Sequence, residues 1–155
     1  MFEDTGHIAL GNNLVVNLAR QTIANLIGGR DLSEVSPVKD WVVNKVSFGT
    51  YDEAPRFTDA SLSPQFVDGQ FAGGENEIII DPIEGNKKKG IHAVDWPAPY
   101  IVRFEIILLE GEANGYTIRE LGLWTENETL FARKATIGIS KSDTFGLSFL
   151  WRVRA

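Results

Sequence analysis

One stretch near the end of the sequence decides the fold: FGLSFLWRVRA, residues 145–155. Large apolar side chains occupy every second position from Phe145 to Val153, and the positions between them end in two arginines. Strict alternation is typical of a half-buried β-strand, because successive side chains point to opposite faces of a sheet. A large apolar side chain contributes about 1.5–3 kcal/mol when fully buried. The stretch therefore predicts a strand with its apolar face in a core.

The residues before this stretch carry further strand signals. From Tyr100, apolar residues at even positions alternate with polar ones, which predicts another half-buried strand. The tetrad EANG at 112–115 predicts a turn, because Asn and Gly tolerate positive φ. Two more strands are predicted at 116–124 and 130–133, joined as a hairpin by the residues at 125–129.

The first two thirds of the chain are less regular. Apolar residues at steps of three and four predict one helix over 17–27. Runs rich in β-branched residues predict strands at 41–48 and 77–80. The three consecutive lysines in 85–90 predict a solvated turn, and the sequence WPAP at 96–99 predicts a stiff extended linker.

These elements predict a mainly β fold: an antiparallel β-sandwich or barrel-like sheet with one N-terminal α-helix and long loops. A chain of 155 residues fits a single domain, so we expect one β-rich domain over 1–155. The region 51–74 is long and aperiodic, which is typical of a binding loop, an extended arm or a packed irregular loop. Residues 63–99 are predicted to form an extended arm or insertion.

Composition limits the classes of partner. The net charge of -6 disfavours contact with phosphate backbones, so nucleic acid is not an expected partner. The sequence contains no cysteine, which excludes disulfides, thiolate chemistry and cysteine-ligated zinc. The acidic first residues do not resemble a secretory signal, and no apolar run approaches the roughly 18 residues of a membrane span. We expect synthesis in a cytoplasm and no membrane insertion.

The sequence contains no convincing catalytic motif. The two histidines, His7 and His92, lack ligand-like spacing, and no hydrolase or nucleotide-binding motif occurs. We therefore expect a non-enzymatic protein without cofactor or metal. A small hydrolase is the alternative, since glycosidases need two carboxyl groups within about 5–10 Å of each other. Its candidate carboxylates are Asp52 and Glu53 in the long loop and Asp95 beside the proline-rich segment.

One acidic residue lies inside an apolar strand pattern. Glu120 shares a predicted face with Ile118 and Trp124, so its carboxylate is expected to be partly buried. A partly buried carboxylate needs a partner, for which Arg103, Arg133 or a backbone turn are candidates. The pattern favours a structural lock over a catalytic role.

The aromatic residues divide into a core set and a contact set. Trp41, Trp124 and Trp151 lie within strand patterns, which predicts core packing. An exposed aromatic side chain in a stiff loop is a candidate hot spot for protein contact. The residues predicted as partner contacts are Trp96, Tyr100, Phe66 and Phe71. A carbohydrate-binding module, with Trp96 and Tyr100 stacking on sugar rings, is the alternative interpretation.

Several runs together resemble a known class of protein. They are EANGYTIRELGL at 112–123, TLFARK at 129–134, ISK at 139–141 and the alternating final strand. With these runs the chain resembles tail proteins of contractile-tailed bacteriophages, in particular small baseplate or tail-fibre-associated structural proteins and the N-terminal attachment modules of some tail fibres. The front half is similar in IGG, FGT, AP and DASL, at 27–29, 48–50, 54–55 and 59–62.

The resemblance covers roughly 13–62 and 100–155 and leaves 63–99 unmatched. It implies a virion tail component, made in the host cytoplasm and present in several symmetric copies. Such a protein joins tail or baseplate to fibres by protein–protein contacts, and a neck or collar protein is the alternative position. The resemblance implies no active site. Fold analogy alone does not establish function, so these statements are expectations.

Overall fold

The computed structural model describes residues 7–10, 14–17, 19–20, 23, 28, 42–51, 54, 59, 61–62, 65–67, 70–72 and 77–154. Eleven strands lie within these residues: β1 His7–Leu10, β2 Leu14–Val15, β3 Val43–Gly49, β4 Gln65–Val67, β5 Gln70–Ala72, β6 Lys88–Gly90, β7 Ala93–Ala98, β8 Ile101–Leu108, β9 Thr117–Thr125, β10 Leu130–Ser140 and β11 Leu147–Arg154. The prediction of a mainly β chain is confirmed.

The strands form two large sheets and one ribbon. The first sheet has the order β1-β11-β8-β7, with β11, β8 and β7 antiparallel and β1 parallel to β11. The second has the order β2-β10-β9-β3-β6 and is antiparallel throughout. Strands β4 and β5 pair only with each other among the described residues.

Both large sheets contribute to one core. Side chains at alternate positions of β8 and β11 are buried in the same cluster as those of β3 and β9. The rings of Phe48 and Phe149, one from each sheet, lie 5.8 Å apart between centroids. The alternation predicted for the final strand is confirmed at Phe149, Trp151 and Val153, which are buried. Leu150 was expected on the opposite, polar face, but it is buried as well and pairs with β1.

The region 77–99 differs from its sequence-based interpretation. The predicted basic turn is wrong over Lys88–Gly90, which forms the edge strand β6 against β3. The predicted linker is wrong at its first residues, because β7 extends to Ala98 and pairs with β8. Edge strands tolerate Lys and Pro, since one side of an edge makes no ladder hydrogen bonds, and these residues therefore gave misleading turn signals. Residues 78 and 80, in the predicted arm, are buried core isoleucines.

The predicted N-terminal helix lies mostly outside the described residues. Within them, the amide of Arg20 donates to the carbonyl of Val16 over 3.1 Å, which is the spacing of one α-helical turn. The helix over 17–27 thus stays a prediction. Trp41 also lies outside the described residues, whereas Trp124 and Trp151 are buried as expected.

Candidate functional site

The first candidate site is built on the hairpin between β7 and β8. Ala98 pairs with Ile101, so Pro99 and Tyr100 form a two-residue turn between the strands. Proline fixes its own φ, which stiffens this turn. Trp96 and Tyr100 are 71% and 73% exposed. Two large aromatic side chains therefore stand in solvent on a rigid support, and their role as partner contacts stays a prediction.

An ion pair braces the same hairpin. The Arg103 guanidinium donates from Nε to Asp95 Oδ1 over 2.9 Å and from Nη2 to Oδ2 over 2.5 Å. These hydrogen bonds lower the pKa of the Asp95 carboxyl, and the charge of Arg152 on the next strand acts in the same direction. A carboxyl group held ionised in this way is a poor general acid. Of the hydrolase candidates, Asp52 and Glu53 lie outside the described residues.

A cleft of about 280 Å³ opens beside the hairpin. We call it the aromatic cleft; it is lined by Val15, Ile23, Trp96, Pro99, Tyr100, Ile101, Val102, Phe131, Val153 and Arg154. Val15, Val102 and Phe131 are partly buried and pack against the core, so the cleft lies at the margin of the core. Arg154 is exposed, and within the described part of the chain it makes no ion pair.

The other two predicted contact residues belong to the β4–β5 ribbon. Phe66 and Phe71 are directly opposite each other in its antiparallel register. They are therefore paired with each other on an element distinct from the β7–β8 hairpin, and their role in contact stays a prediction.

A second polar constellation is fully buried. Arg133 and Glu120 are both 0% exposed, and Asp59 is 4% exposed. The Arg133 guanidinium donates from Nε to Glu120 Oε2 over 2.8 Å, and its Nη1 donates to Asp59 Oδ2 over 3.1 Å. Of the partners expected for Glu120, Arg133 is confirmed, whereas Arg103 pairs with Asp95. The network fastens the chain around Asp59 to β9 and β10.

Two glycines make room for this fastening. A Cβ at Gly49 would collide with the Glu120 carboxylate, and a Cβ at Gly122 would lie 2.7 Å from Leu62 Cδ2. Leu62 is fully buried although it lies in a segment without regular structure. The face of the second sheet that points away from the shared core is thus contacted here by Asp59 and Leu62, and we interpret the network as structural.

The lysine-rich edge strand is largely neutralised. Lys45 and Lys88 reach the two carboxylate oxygens of Glu128 over 2.7 and 3.4 Å, and Lys89 pairs with Glu112. The hydrogen bond between Lys45 and Glu128 raises the pKa of Lys45 and lowers that of Glu128. These contacts leave little free positive charge for a polyanion on β6.

Neither a metal-binding cluster nor a membrane-spanning helix occurs among the described residues. No group of three or more His, Cys, Asp or Glu side chains there is arranged to hold a metal ion. No helix among the described residues is long and apolar enough to cross a membrane. His92 is exposed.

Comparisons with known proteins add no family. A scan against protein-family models, a search of curated proteins and a search of solved structures found no match to this chain. Function must therefore be inferred from the site itself. The sequence predicts a contact role for Trp96 and Tyr100, which stays a prediction. It gives no signal that Arg154, Val153 and Phe131 line the same cleft, because these residues are far apart in the chain and meet only after folding.

Proposed function

We propose that this chain is a non-enzymatic structural protein of a phage tail or baseplate, which joins tail or baseplate to fibres by protein–protein contacts. The observation that carries the proposal is the exposure of Trp96 and Tyr100 on a braced hairpin at the mouth of the aromatic cleft. The resemblance of 112–141 and the final strand to tail proteins supplies the biological setting.

Trp96 and Tyr100 expose large aromatic surfaces to water on a hairpin that is already rigid. Aromatic side chains are enriched among interface residues that dominate binding, because they bury large areas and lose little conformational entropy. The Asp95–Arg103 pair and the proline turn have already fixed the hairpin, so a partner does not have to order it. Burial of Trp96 and Tyr100 by a partner protein is therefore favourable.

The proposal includes a location and a fold. The protein is made in the host cytoplasm and enters the virion tail in several symmetric copies, with a neck or collar position as the alternative. The proposed fold is a β-sandwich of the two large sheets in a single domain over 1–155, with one N-terminal α-helix over 17–27.

Mass spectrometry of purified phage particles tests this proposal. After heads and tails have been separated, peptides of this chain are expected in the tail fraction at a fixed ratio to the other tail proteins. Absence of the chain from intact particles, or its presence only in the unassembled lysate, contradicts a structural role.

A carbohydrate-binding module is the second candidate. It is favoured by the same two exposed aromatic side chains, since flat rings stack on sugar faces, and by the adjacent Arg154, which suits an acidic sugar. A glycan array distinguishes the two proposals. Binding that is lost in Trp96→Ala and kept in Ile137→Ala supports carbohydrate recognition, because Ile137 is equally apolar and exposed but lies outside the cleft. A silent array favours protein contact.

A further inference from the structure

The aromatic cleft lies at one end of β8, and a second exposed apolar area lies at the other. Trp96, Tyr100 and Ile101 mark the first end, and Leu109 follows the last residue of the strand. Eight residues of extended chain separate the two ends by about 25 Å. Because β8 is a central strand of its sheet, the two areas are held at a fixed distance on opposite ends of the domain.

The second area combines apolar side chains with free carboxylates. Leu109 is 59% exposed and Phe145 is 37% exposed. Lys141 connects the two segments that carry these side chains. Its ammonium donates to the carbonyl of Glu110, the residue after Leu109, over 3.2 Å and lies 5.5 Å from the centre of the Phe145 ring. Glu110 and Asp143 are exposed and act electrostatically on Lys141. We call Leu109, Glu110, Asp143 and Phe145 the acidic apolar patch.

The positive charge in this patch is shielded. Lys141 is 2% exposed, and its three nearest acceptors are the carbonyls of Glu110 and Ser142 and the side-chain oxygen of Asn114. Burial lowers the pKa of Lys141. The face presented to solvent is therefore apolar with two carboxylates.

The aromatic cleft has the complementary character. Its aromatic side chains line the cleft together with Arg154. Arg152 lies two residues before Arg154 in β11, so the two arginines share a face of the strand. Arg103 lies opposite Arg152 in the register of β8 and β11. Among the described residues of β7, β8 and β11, these three arginines share the face with two carboxylates, those of Asp95 and Glu105. One end of the domain is thus apolar and basic, and the other is apolar and acidic.

We infer that the acidic apolar patch of one copy docks into the aromatic cleft of the next, so that copies associate head to tail. Leu109 and Phe145 would cover Trp96 and Tyr100, and Glu110 would approach Arg154. Two different surfaces meet in this contact, so it is heterologous, and repeated contacts give a ring if the rotation closes and a filament if it does not. The inference rests on the proposed function, because it assigns a partner to the same aromatic surface.

The contact is expected to be weak for an isolated pair. Each surface offers only a few exposed apolar side chains, which falls short of the roughly 800 Å² per partner buried in a stable interface. Self-association should therefore be detectable only toward high protein concentration. Rim charges mainly orient the partners and exclude wrong ones.

Sedimentation velocity with two complementary variants tests the inference. Trp96→Ala removes the cleft anchor, and Leu109→Asp makes the patch polar; both residues are exposed, so folding is expected to survive. The wild-type chain should associate increasingly between about 1 μM and about 1 mM. Each variant alone should associate at least about tenfold more weakly. Ile137→Ala, at an exposed apolar residue outside both surfaces, is the matched control and should behave as wild type.

Mixing the two variants separates head-to-tail contact from other modes. Trp96→Ala keeps an intact patch and Leu109→Asp keeps an intact cleft, so a mixture should form dimers and nothing larger. A symmetric contact that uses one surface twice cannot give this result. Dimers that fail to appear in the mixture overturn the inference.

A charge swap tests the polar part of the contact. Arg154→Glu and Glu110→Lys should each weaken self-association by about tenfold, because each places like charges opposite each other. Their mixture should recover association, since the reversed cleft of one variant matches the reversed patch of the other. Lys87→Glu changes an exposed turn lysine by the same charge and is the control. Failure of the swap to recover association contradicts the proposed pairing.

The remaining outcomes also decide between the proposals. A wild-type chain that stays monomeric at all concentrations overturns head-to-tail association. If Trp96→Ala is then excluded from phage particles, the cleft binds another virion protein and the proposed function stands. If Trp96→Ala instead lowers the melting temperature of the monomer, the cleft holds a segment of its own chain. If the variant is monomeric, equally stable and incorporated normally, both proposals fail.

Discussion

Replacing Arg133 by methionine should destabilise the fold more than almost any other single change. Arg133 is fully buried and holds the carboxylates of Glu120 and Asp59, which are 0% and 4% exposed. In Arg133→Met both buried carboxylates lose the guanidinium that neutralises them. The variant therefore keeps two buried negative charges and loses the attraction that Arg133 supplies to each of them.

The size of the effect follows from the degree of burial. Removal of one member of a buried ion pair costs about 3–5 kcal/mol, and here one cation serves two anions. A domain of this size loses about 2–4 °C of melting temperature for each kcal/mol, so we expect a decrease of about 6–20 °C. The total stability of a domain is about 5–15 kcal/mol, so the expected loss is a large fraction of it.

Urea unfolding followed by circular dichroism measures this difference. Arg152→Met is the matched control, because Arg152 is a strand arginine with an exposed side chain, and it should cost less than about 1 kcal/mol. The triple variant Arg133→Met with Glu120→Gln and Asp59→Asn removes the three charges of the network among the described residues, and it should recover at least half of the loss. A loss below about 1 kcal/mol in Arg133→Met, or no recovery in the triple variant, refutes the reasoning.

Three further predictions concern individual contacts. The pKa of Asp95 is lowered by Arg103, so Arg103→Met should raise this pKa toward 3.8 in a carboxyl NMR titration. In the wild-type chain, the stabilisation from this pair should be present above pH 3.8 and lost as the pH falls through the lowered pKa. Gly122→Ala should cost about 1–3 kcal/mol in urea unfolding, because the added Cβ would lie 2.7 Å from Leu62 Cδ2; an unchanged midpoint would show that Leu62 moves away freely. Lys141→Met should cost about 1–3 kcal/mol by the same measurement, because three oxygen acceptors each lose the hydrogen bond from the ammonium. Unchanged stability would contradict a structural role for this lysine.

The strands that were predictable are those with one buried face. In β8 and β11 a large apolar residue recurs at every second position, and the structure buries six of them: Phe104, Ile106, Leu108, Phe149, Trp151 and Val153. Phe145, expected on the same face, lies before β11 and is exposed. The edge strands β6 and β7 were not predictable by this rule, because they bury little and carry Lys, Gly and Pro. Edge strands have few packing partners, so their sequences keep only weak periodicity.

The buried network was predictable only in part. Glu120 stood out as an acidic residue within an apolar strand, and Arg133 lies on the neighbouring strand of the same hairpin. Asp59 lies 74 residues from Arg133 in a segment without periodicity, so no local pattern connects the two. The aromatic cleft was likewise not predictable as a whole. Arg154 and Trp96 are far apart in the sequence, and only the folded strands bring them to the same cleft.

Competitive incorporation into particles tests the central claim most directly. Wild-type and Trp96→Ala chains, expressed together at equal levels during phage assembly, are quantified by mass spectrometry in purified tails. Contact through the aromatic cleft predicts at least about tenfold depletion of the variant, by the usual effect of losing an interface hot spot. The Ile137→Ala chain should enter at the wild-type level. Equal incorporation of wild-type and Trp96→Ala chains would contradict the claim that this surface joins the protein to its neighbours.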